Sequence, residues 1–485
     1  MKTFAPSRVC LALALVLGST GAMAATPTLA EQQKQIAVQQ QQINALTQQL
    51  MAMQAKLAEL ASQNEALAAQ QERQSAPVAV AATTASASAS VSATPAPTGV
   101  ASASNTAAAN AVASGDKLHL WGYGEAVFLR PSDDHSQTTA DIARAVVGLG
   151  YRFNDKTRFN SEFEIEHGVS SSDDAGEVEV EQFYVERDLN EFATLQAGLF
   201  LIPSGYTNLS HEPTNYYGVQ RNFVETLIIP STWREGGVSL HGDTELGLNW
   251  NLGLTTGFNL SGWEFNPEAP LYATAEELLG GDAGPLRATH QELSEANAEH
   301  LSQYLALNYN GVPGYNLGGS YFTGKAVPVD PSLSDPRVTL WEVHTRWTPG
   351  DWDLSALYAR GTFSNTDEAN ELFPGATNPI PAAFYGYYGQ VAYNVWEEGD
   401  YRLSPFARYE RYDLGDDYDG LAPGATPVPT TPIPGFAPWP QQNDTVWTYG
   451  ANFYVTPNVV FKADYQRFDE NDGFDRFDLG MGVAF

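Results

Sequence analysis

Cysteine is all but missing: the 485 residues hold a single one, Cys10. Neither a cysteine-built metal site nor a disulfide framework can therefore organise the fold. Basic residues are scarce too, 25 Lys and Arg against 57 Asp and Glu, for a formal net charge of −32. Nucleic-acid binding needs clustered Lys and Arg to displace counterions, and this chain lacks them. Also absent is any internal stretch of the ~18 apolar residues a membrane helix requires, which excludes helical channels and pumps. What the chain has in quantity is 42 glycines, 23 tyrosines, 23 phenylalanines and a hydrophobic fraction of 43%, enough for two or three domains.

Residues 1–24 place Lys2 and Arg8 before the apolar run VCLALALVLG, which leads to the small residues ending in Ala22-Met23-Ala24. This is the order of a secretory signal, with cleavage expected after Ala24. Cys10 belongs to that leader and is badly placed for lipid attachment. A mature chain without cysteine, in a compartment where disulfides form, must be held together by something else.

Three segments follow. Residues 27–74 carry an apolar column at Leu29, Ile36, Ile43, Leu50 and Leu57, and a second at Leu46, Met53, Leu60 and Leu67. Such a seam over about five heptads predicts an α-helical coiled coil roughly 70 Å long, with Asn64 on the first column to set register. Gln32 and Gln39 weaken its first two heptads, and a lone amphipathic helix is the alternative. Residues 75–115 are Ala, Ser, Thr, Val and Pro, a composition that cannot offset chain entropy and reads as a flexible linker.

From residue 117 onward apolar and polar residues alternate. In TRFNSEFEIEH, Phe159, Phe163 and Ile165 share one parity, and Arg158, Asn160, Glu162, Glu164 and Glu166 the other. LGLNWNLGLTTGF and the terminal FDLGMGVAF behave likewise. Period two means strands. Full charges on the polar parity would not suit a dry sandwich core, and aromatics cluster near strand ends as interfacial girdles do. Tight turns at Asn154-Asp155, Asn190-Glu191, Asp243-Thr244, GVPG, PGD, EEGD and TPN alternate with longer polar loops such as 260–297, 364–383 and 414–442. Sixteen strands result, starting near 118, 140, 157, 178, 192, 237, 246, 299, 315, 338, 352, 384, 401, 444, 459 and 475. The fold class is all-β: residues 117–485 are expected to form a 16-stranded antiparallel transmembrane β-barrel in the outer membrane of a Gram-negative bacterium, closed by Phe485, with the coiled coil in the periplasm. Val178 and Val180 differ in parity from Phe183 and Val185, which predicts a bulge.

A barrel this wide encloses water. Its inward charges, Arg144, Arg152, Arg158, Glu162, Glu164, Glu166, Arg346, Arg408 and Lys462, with Glu179, then read as solvated pore walls. The third outer connection, residues 204–236, is partly apolar through Leu227, Ile228, Ile229 and Trp233. Folding inward would bury that edge and narrow the bore, leaving His211, Glu212, Arg221, Glu225, Arg234 and Glu235 to meet solute or to anchor the loop by ion pairs.

The run HEPTNYYGVQRNFVETLIIPSTWREGGVSLHG, with GYGE at 122–125 and GLGYRFN at 148–154, resembles the phosphate-selective porin O and P family. The resemblance implies a trimeric sixteen-stranded outer-membrane channel, passive, with its third loop in the lumen and an anion-selective ladder of inward Arg and Lys. This sequence departs from the ladder: residues 117–485 hold 20 basic and 52 acidic side chains. Carboxylates favour cations, so a general or weakly cation-preferring pore is expected, with anion (phosphate) selectivity as the alternative. Membrane lipid, lipopolysaccharide and a homotrimer are the expected partners, and peptidoglycan contact through the coiled coil would make the barrel an envelope tether. No enzyme is expected. His211-Glu212 starts like HExxH, but Pro213 follows and no second histidine is correctly spaced; GxSxG is absent. No cofactor and no metal ligand set emerges. Trp121, Tyr123, Tyr216 and Tyr217 read as loop packing or girdle in preference to a sugar-stacking track.

Overall fold

The computed structural model describes residues 117–169, 176–267, 269–422, 427 and 439–485. The leader, the coiled-coil segment and the linker lie outside the described residues. Seventeen strand segments account for most of the rest. They are β1 (Leu118–Pro131), β2 (Thr139–Asn154), β3 (Thr157–Glu166), β4 (Val178–Asn190), β5 (Ala193–Leu201), β6 (Arg234–Asp243), β7 (Leu248–Thr256), β8 (Leu301–Val312) and β9 (Tyr315–Lys325). The second half contributes β10 (Arg337–Trp347), β11 (Trp352–Phe363), β12 (Ala383–Tyr393), β13 (Trp396–Glu398), β14 (Tyr401–Asp417), β15 (Asn443–Thr456), β16 (Val459–Phe468) and β17 (Arg476–Ala484).

Every pairing between strands is antiparallel and between chain neighbours, except β12 with β14 and the pair that closes the sheet. β1 pairs with β17 from Tyr123↔Ala484 to Pro131↔Arg476, and Gly122 and Phe485 exchange backbone hydrogen bonds of 3.1 and 2.8 Å. β12 and β13 both lie against β14, so they form one interrupted stave and the closed barrel has sixteen. Closure removes the edges that would otherwise leave backbone groups unpaired in lipid. Among the described residues no helix is long and apolar enough to cross a membrane.

The alternation sorts as the sequence implies. On β10, Thr339, Trp341, Val343 and Trp347 point outward, while Val338, Leu340, Glu342 and His344 are buried inside. Around the outside Leu120, Val147, Phe163, Ile165, Leu252, Leu305, Val343, Phe461 and Leu479 form an apolar exterior. Near the tight turns paired rings make a rim: Trp352 lies 4.7 Å from Tyr393, tilted against it, and Tyr401 stacks 6.1 Å from Phe453.

The expected bulge is present. Register slips between Glu162 and Phe163 opposite β4, so that Gln182 faces Glu162, Val180 faces Phe163 and Glu181 is the extra residue. As a result the consecutive side chains of Glu181 and Gln182 are both buried on the inner side. The long connection 257–300, its 260–297 part expected to be a polar loop, carries a short helix α1 (Ala275–Gly280) with a Thr274/Glu277 capping box and buries Phe258, Leu260, Phe265, Tyr272, Leu278 and Leu286. Its apolar residues have a partner inside the barrel.

Candidate functional site: the third loop and the inner wall

The third outer connection runs from Ile202 to Trp233, between β5 and β6, and lies within the barrel. Inward side chains of the wall hold its backbone. Asp464 accepts from the Val219 N–H at 2.6 Å, Glu410 from the Phe223 N–H at 2.7 Å and Asn452 from the Gly218 N–H at 3.2 Å. Arg144 donates to the His211 carbonyl at 2.6 Å, Arg408 to the Tyr217 carbonyl at 3.1 Å and Asn452 to the Tyr216 carbonyl at 3.0 Å. Tyr216 donates to Glu125 at 2.5 Å and Tyr217 to Asp353 at 3.2 Å. A backbone segment inside a barrel must find such partners, and here β1, β2, β11, β14, β15 and β16 supply them.

Wall glycines make room for the loop. A Cβ on Gly482 would stand 2.6 Å from the Pro213 side chain, and one on Gly386 2.9 Å from Ile228. The apolar stretch Val224, Leu227, Ile228, Ile229 and Trp233 is fully buried in one cluster with wall residues Phe322, Leu340, Leu357, Phe384 and Tyr412, and with Phe258, Leu260 and Leu286 of the connection above it. Trp233 lies 4.7 Å from Phe322 and 5.7 Å from Phe258, ring to ring. The part of the lumen beside this stretch is therefore apolar and packed rather than wet.

Within the loop, Glu225 is the organising side chain. Its carboxylate accepts from the backbone N–H of Tyr206, from that of Thr207 at 2.6 Å, from Asn222 at 2.8 Å and from the Tyr388 hydroxyl at 3.0 Å. Arg221 donates to the hydroxyls of Ser231 and Thr232; burial, aided by the charge of Arg144, lowers its pKa. Burial, followed by the Glu125 carboxylate, holds the Tyr216 phenol above the ordinary range. Glu212 is buried and accepts from Asn215 at 2.7 Å. His211 is buried against Tyr123. Arg234 and Glu235 are the first two residues of β6, paired with Leu201 and Phe200, and do not belong to the loop as expected. Arg234 bridges Glu179 at 2.6 Å and Glu292 at 3.1 Å, and Glu235 accepts from Thr256 at 2.5 Å.

Most of the charges read from the sequence as solvated wall are paired or enclosed. Arg144 meets Glu125 at 2.7 Å, Arg158 meets Glu186 and Asp188 at 2.6 and 2.8 Å, Arg346 meets Asp353 at 2.5 Å and Arg408 meets Glu410 at 2.9 Å. Lys462 is buried with its ammonium 3.5 Å from the Tyr216 ring centre. Glu162 and Glu164 are buried, contrary to the expectation of solvated carboxylates; the Trp121 ring and His211 close over Glu162. Arg152 and Glu166 are half-buried. Sequence reasoning missed Glu125, Asp353, Glu410, Asn452 and Asp464, all of which hold the loop. Their inward parity was visible, but which of them a loop would reach depends on its path.

Trp121 and Tyr123 line the inner wall and Tyr216 and Tyr217 pack between loop and wall, as the loop-packing reading had it. An internal cavity remains between the loop and β10 to β14, lined by Tyr206, Asn215, Tyr217, Asn222, Arg346 and Gln390.

A closed sixteen-stave barrel, greasy outside and holding one of its own loops, defines an outer-membrane channel of the porin class. The sequence matches the family described as phosphate-selective porin O and P over residues 121–473, and the chain belongs to that family. An uncharacterized protein of Aquifex aeolicus (strain VF5) is 27% identical over 365 residues, covering 73% of this chain and 76% of its own. Among solved structures, OmpF of Salmonella typhi in complex with daunomycin is 13% identical, with 77% and 99% of the two chains covered and a TM-score of 0.47. The anion-selective porin from Comamonas acidovorans is 12% identical, with 76% and 99% covered and a TM-score of 0.43. The outer membrane channel DcaP of Acinetobacter baumannii is 12% identical, with 76% and 97% covered and a TM-score of 0.44.

Proposed function

We propose that the protein is a passive, general to weakly cation-preferring porin whose third loop is the constriction, carrying small hydrophilic solutes down their gradients and performing no catalysis. One observation carries the selectivity: Arg144, Arg158, Arg346 and Arg408 each contact at least one carboxylate within 3 Å. A guanidinium neutralised by its neighbour offers little to a passing anion, while the acidic excess of residues 117–485 remains to bias the field. The loop's fit against the wall supports the constriction, since its hydrogen bonds cross from its own strands β5 and β6 to the arc β14 to β2 and to β11. The half-buried Arg221, Arg346, Arg152, Arg158 and Glu166 are the site residues with surface left for solute.

A cavity beside Arg346 and Arg408, rich in tyrosine and asparagine, favours anion passage as a second reading. Reversal potentials in a KCl gradient across planar bilayers separate the two. A potassium preference supports the proposal; a clear chloride preference, or block by phosphate at low concentration, overturns it. Export by residues 1–24, trimerisation and a periplasmic coiled coil at 27–74 complete the proposal. Deletion of residues 27–115 tests the last: loss of the oligomer makes the segment an assembly device, and envelope weakening with intact conductance makes it a tether.

A further inference from the structure

Where the loop's first limb meets β3 and β4, three glutamates and a histidine converge out of reach of solvent. One ligand atom from each of Glu162, Glu181 and His211 can be chosen so that all three lie within 4.8 Å of one another, and all three residues are buried. His211 Nε2 is 3.6 Å from Glu181 Oε1. Glu164, the next inward-facing residue on β3, is buried as well and lies beside Glu181.

The cluster is short of positive partners. Trp121 Nε1 donates to Glu162 at 2.6 Å and Gln182 donates to its other oxygen. The Tyr123 hydroxyl stands 2.9 Å from Glu181 Oε2 and 2.5 Å from His211 Nε2, with one proton for both. Among the described residues Glu181 Oε1 and Glu164 Oε1 have no hydrogen-bond partner, although each residue is at most 3% exposed. Arg144 is already engaged by Glu125 and the His211 carbonyl. Buried carboxylates left this way are costly unless a cation or a proton joins them.

The histidine is presented as a ligand. Its Nδ1 lies 2.9 Å from the Asn208 carbonyl, so the ring donates there and turns the Nε2 lone pair toward the carboxylates. The bulge in β4 adds the decisive oxygen, because only the extra residue lets Glu181 face inward beside Gln182.

We propose that Glu162, Glu181 and His211 bind one divalent first-row ion of the Zn²⁺ class. One imidazole nitrogen with carboxylate oxygens suits such an ion, whereas Mg²⁺ and Ca²⁺ prefer all-oxygen shells. On binding, the Tyr123 proton turns to Glu181 Oε2, and the ion clamps His211 of the loop to two wall strands. The site is structural: it pins the limb that leads to Glu212–Tyr217. Its effect on conductance rests on the loop being the constriction; its existence does not.

Full-length protein in detergent, stripped with EDTA, is titrated with ZnCl₂ by calorimetry, and bound zinc is counted by mass spectrometry after gel filtration. One ion per chain is expected, bound at least about tenfold more weakly in Glu181→Gln and His211→Gln and equally well in Glu245→Gln, an exposed turn residue. His211→Gln lies in the loop, so it keeps the test open if Glu181→Gln fails to fold. No bound zinc, or binding indifferent to both substitutions, overturns the site in favour of a shared proton or of adventitious surface carboxylates. Zinc that quiets channel noise in the parent but not in His211→Gln supports the clamp; binding without any change in conductance keeps the site and counts against the loop as constriction.

Discussion

Two glutamates fasten the segments inside the barrel. Glu225 serves four donors from both limbs of the third loop and from β12. Glu225→Ala leaves those donors buried and unanswered, at a cost of about 2–4 kcal/mol. The barrel should persist while the loop loosens, read as larger and noisier single-channel currents and faster proteolysis near residue 220. Glu292 sits in the connection above β6. Burial alone would raise its pKa, but the neighbouring His290 ring and the Arg234 guanidinium outweigh that and bring it below the ordinary value. A folded pKa below the unfolded value of about 4.3 means the contact stabilises fully above that pH and is lost as pH falls through the folded value. Moving from pH 7 to pH 3 should therefore free the 257–300 connection from β6, making it accessible to an acid protease. Glu292→Gln should show the freed pattern already at pH 7. An unchanged cleavage pattern in that variant would remove the tether role.

At the level of elements, the third loop is shaped as much by what the wall omits as by what it presents. Gly482 and Gly386 face Pro213 and Ile228 at distances a methyl group would violate. Gly386→Leu should expel the apolar stretch around Ile228 while leaving the β11–β12 and β12–β14 ladders intact, detectable as raised conductance with unchanged heat resistance of the barrel. Equal conductance would place the loop elsewhere. The strands themselves were legible: all sixteen begin within three residues of the positions read from alternation, and the bulge in β4 followed from a parity change. Alternation is a local signal and barrel strands are paired with chain neighbours, so little long-range knowledge was needed. Arg234 and Glu235 were misplaced because charged residues before two glycines look like loop, and their pairing with Leu201 and Phe200 is set from the other side of a long connection. The burial of Glu162 and Glu164 was not legible for the same reason: inward parity tells which side a carboxylate faces, not whether His211 will arrive to cover it.

For the whole molecule, the decisive division is between an outer surface that meets hydrocarbon and an interior that does not. Val343, midway along β10, is half-exposed and points away from Glu342 and His344, which are buried inside. Leu246 is even more exposed, but it sits in the tight turn between β6 and β7, beyond the apolar belt. If the belt is lipid-facing, arginine at the two sites should cost very different amounts. A charge near the bilayer midplane of a barrel costs about 2–4 kcal/mol, and one near the interface about 0–1 kcal/mol. Val343→Arg should therefore shift the equilibrium unfolding midpoint in phospholipid vesicles strongly, and Leu246→Arg hardly at all. The contrast should shrink in short-chain detergent, whose polar heads reach the middle of a small micelle more easily. Both proteins keep the inner wall unchanged, so ion selectivity should match the parent in each case. Equal destabilisation at the two sites would mean that the exterior is ordinary surface, and the channel assignment would lose its physical basis.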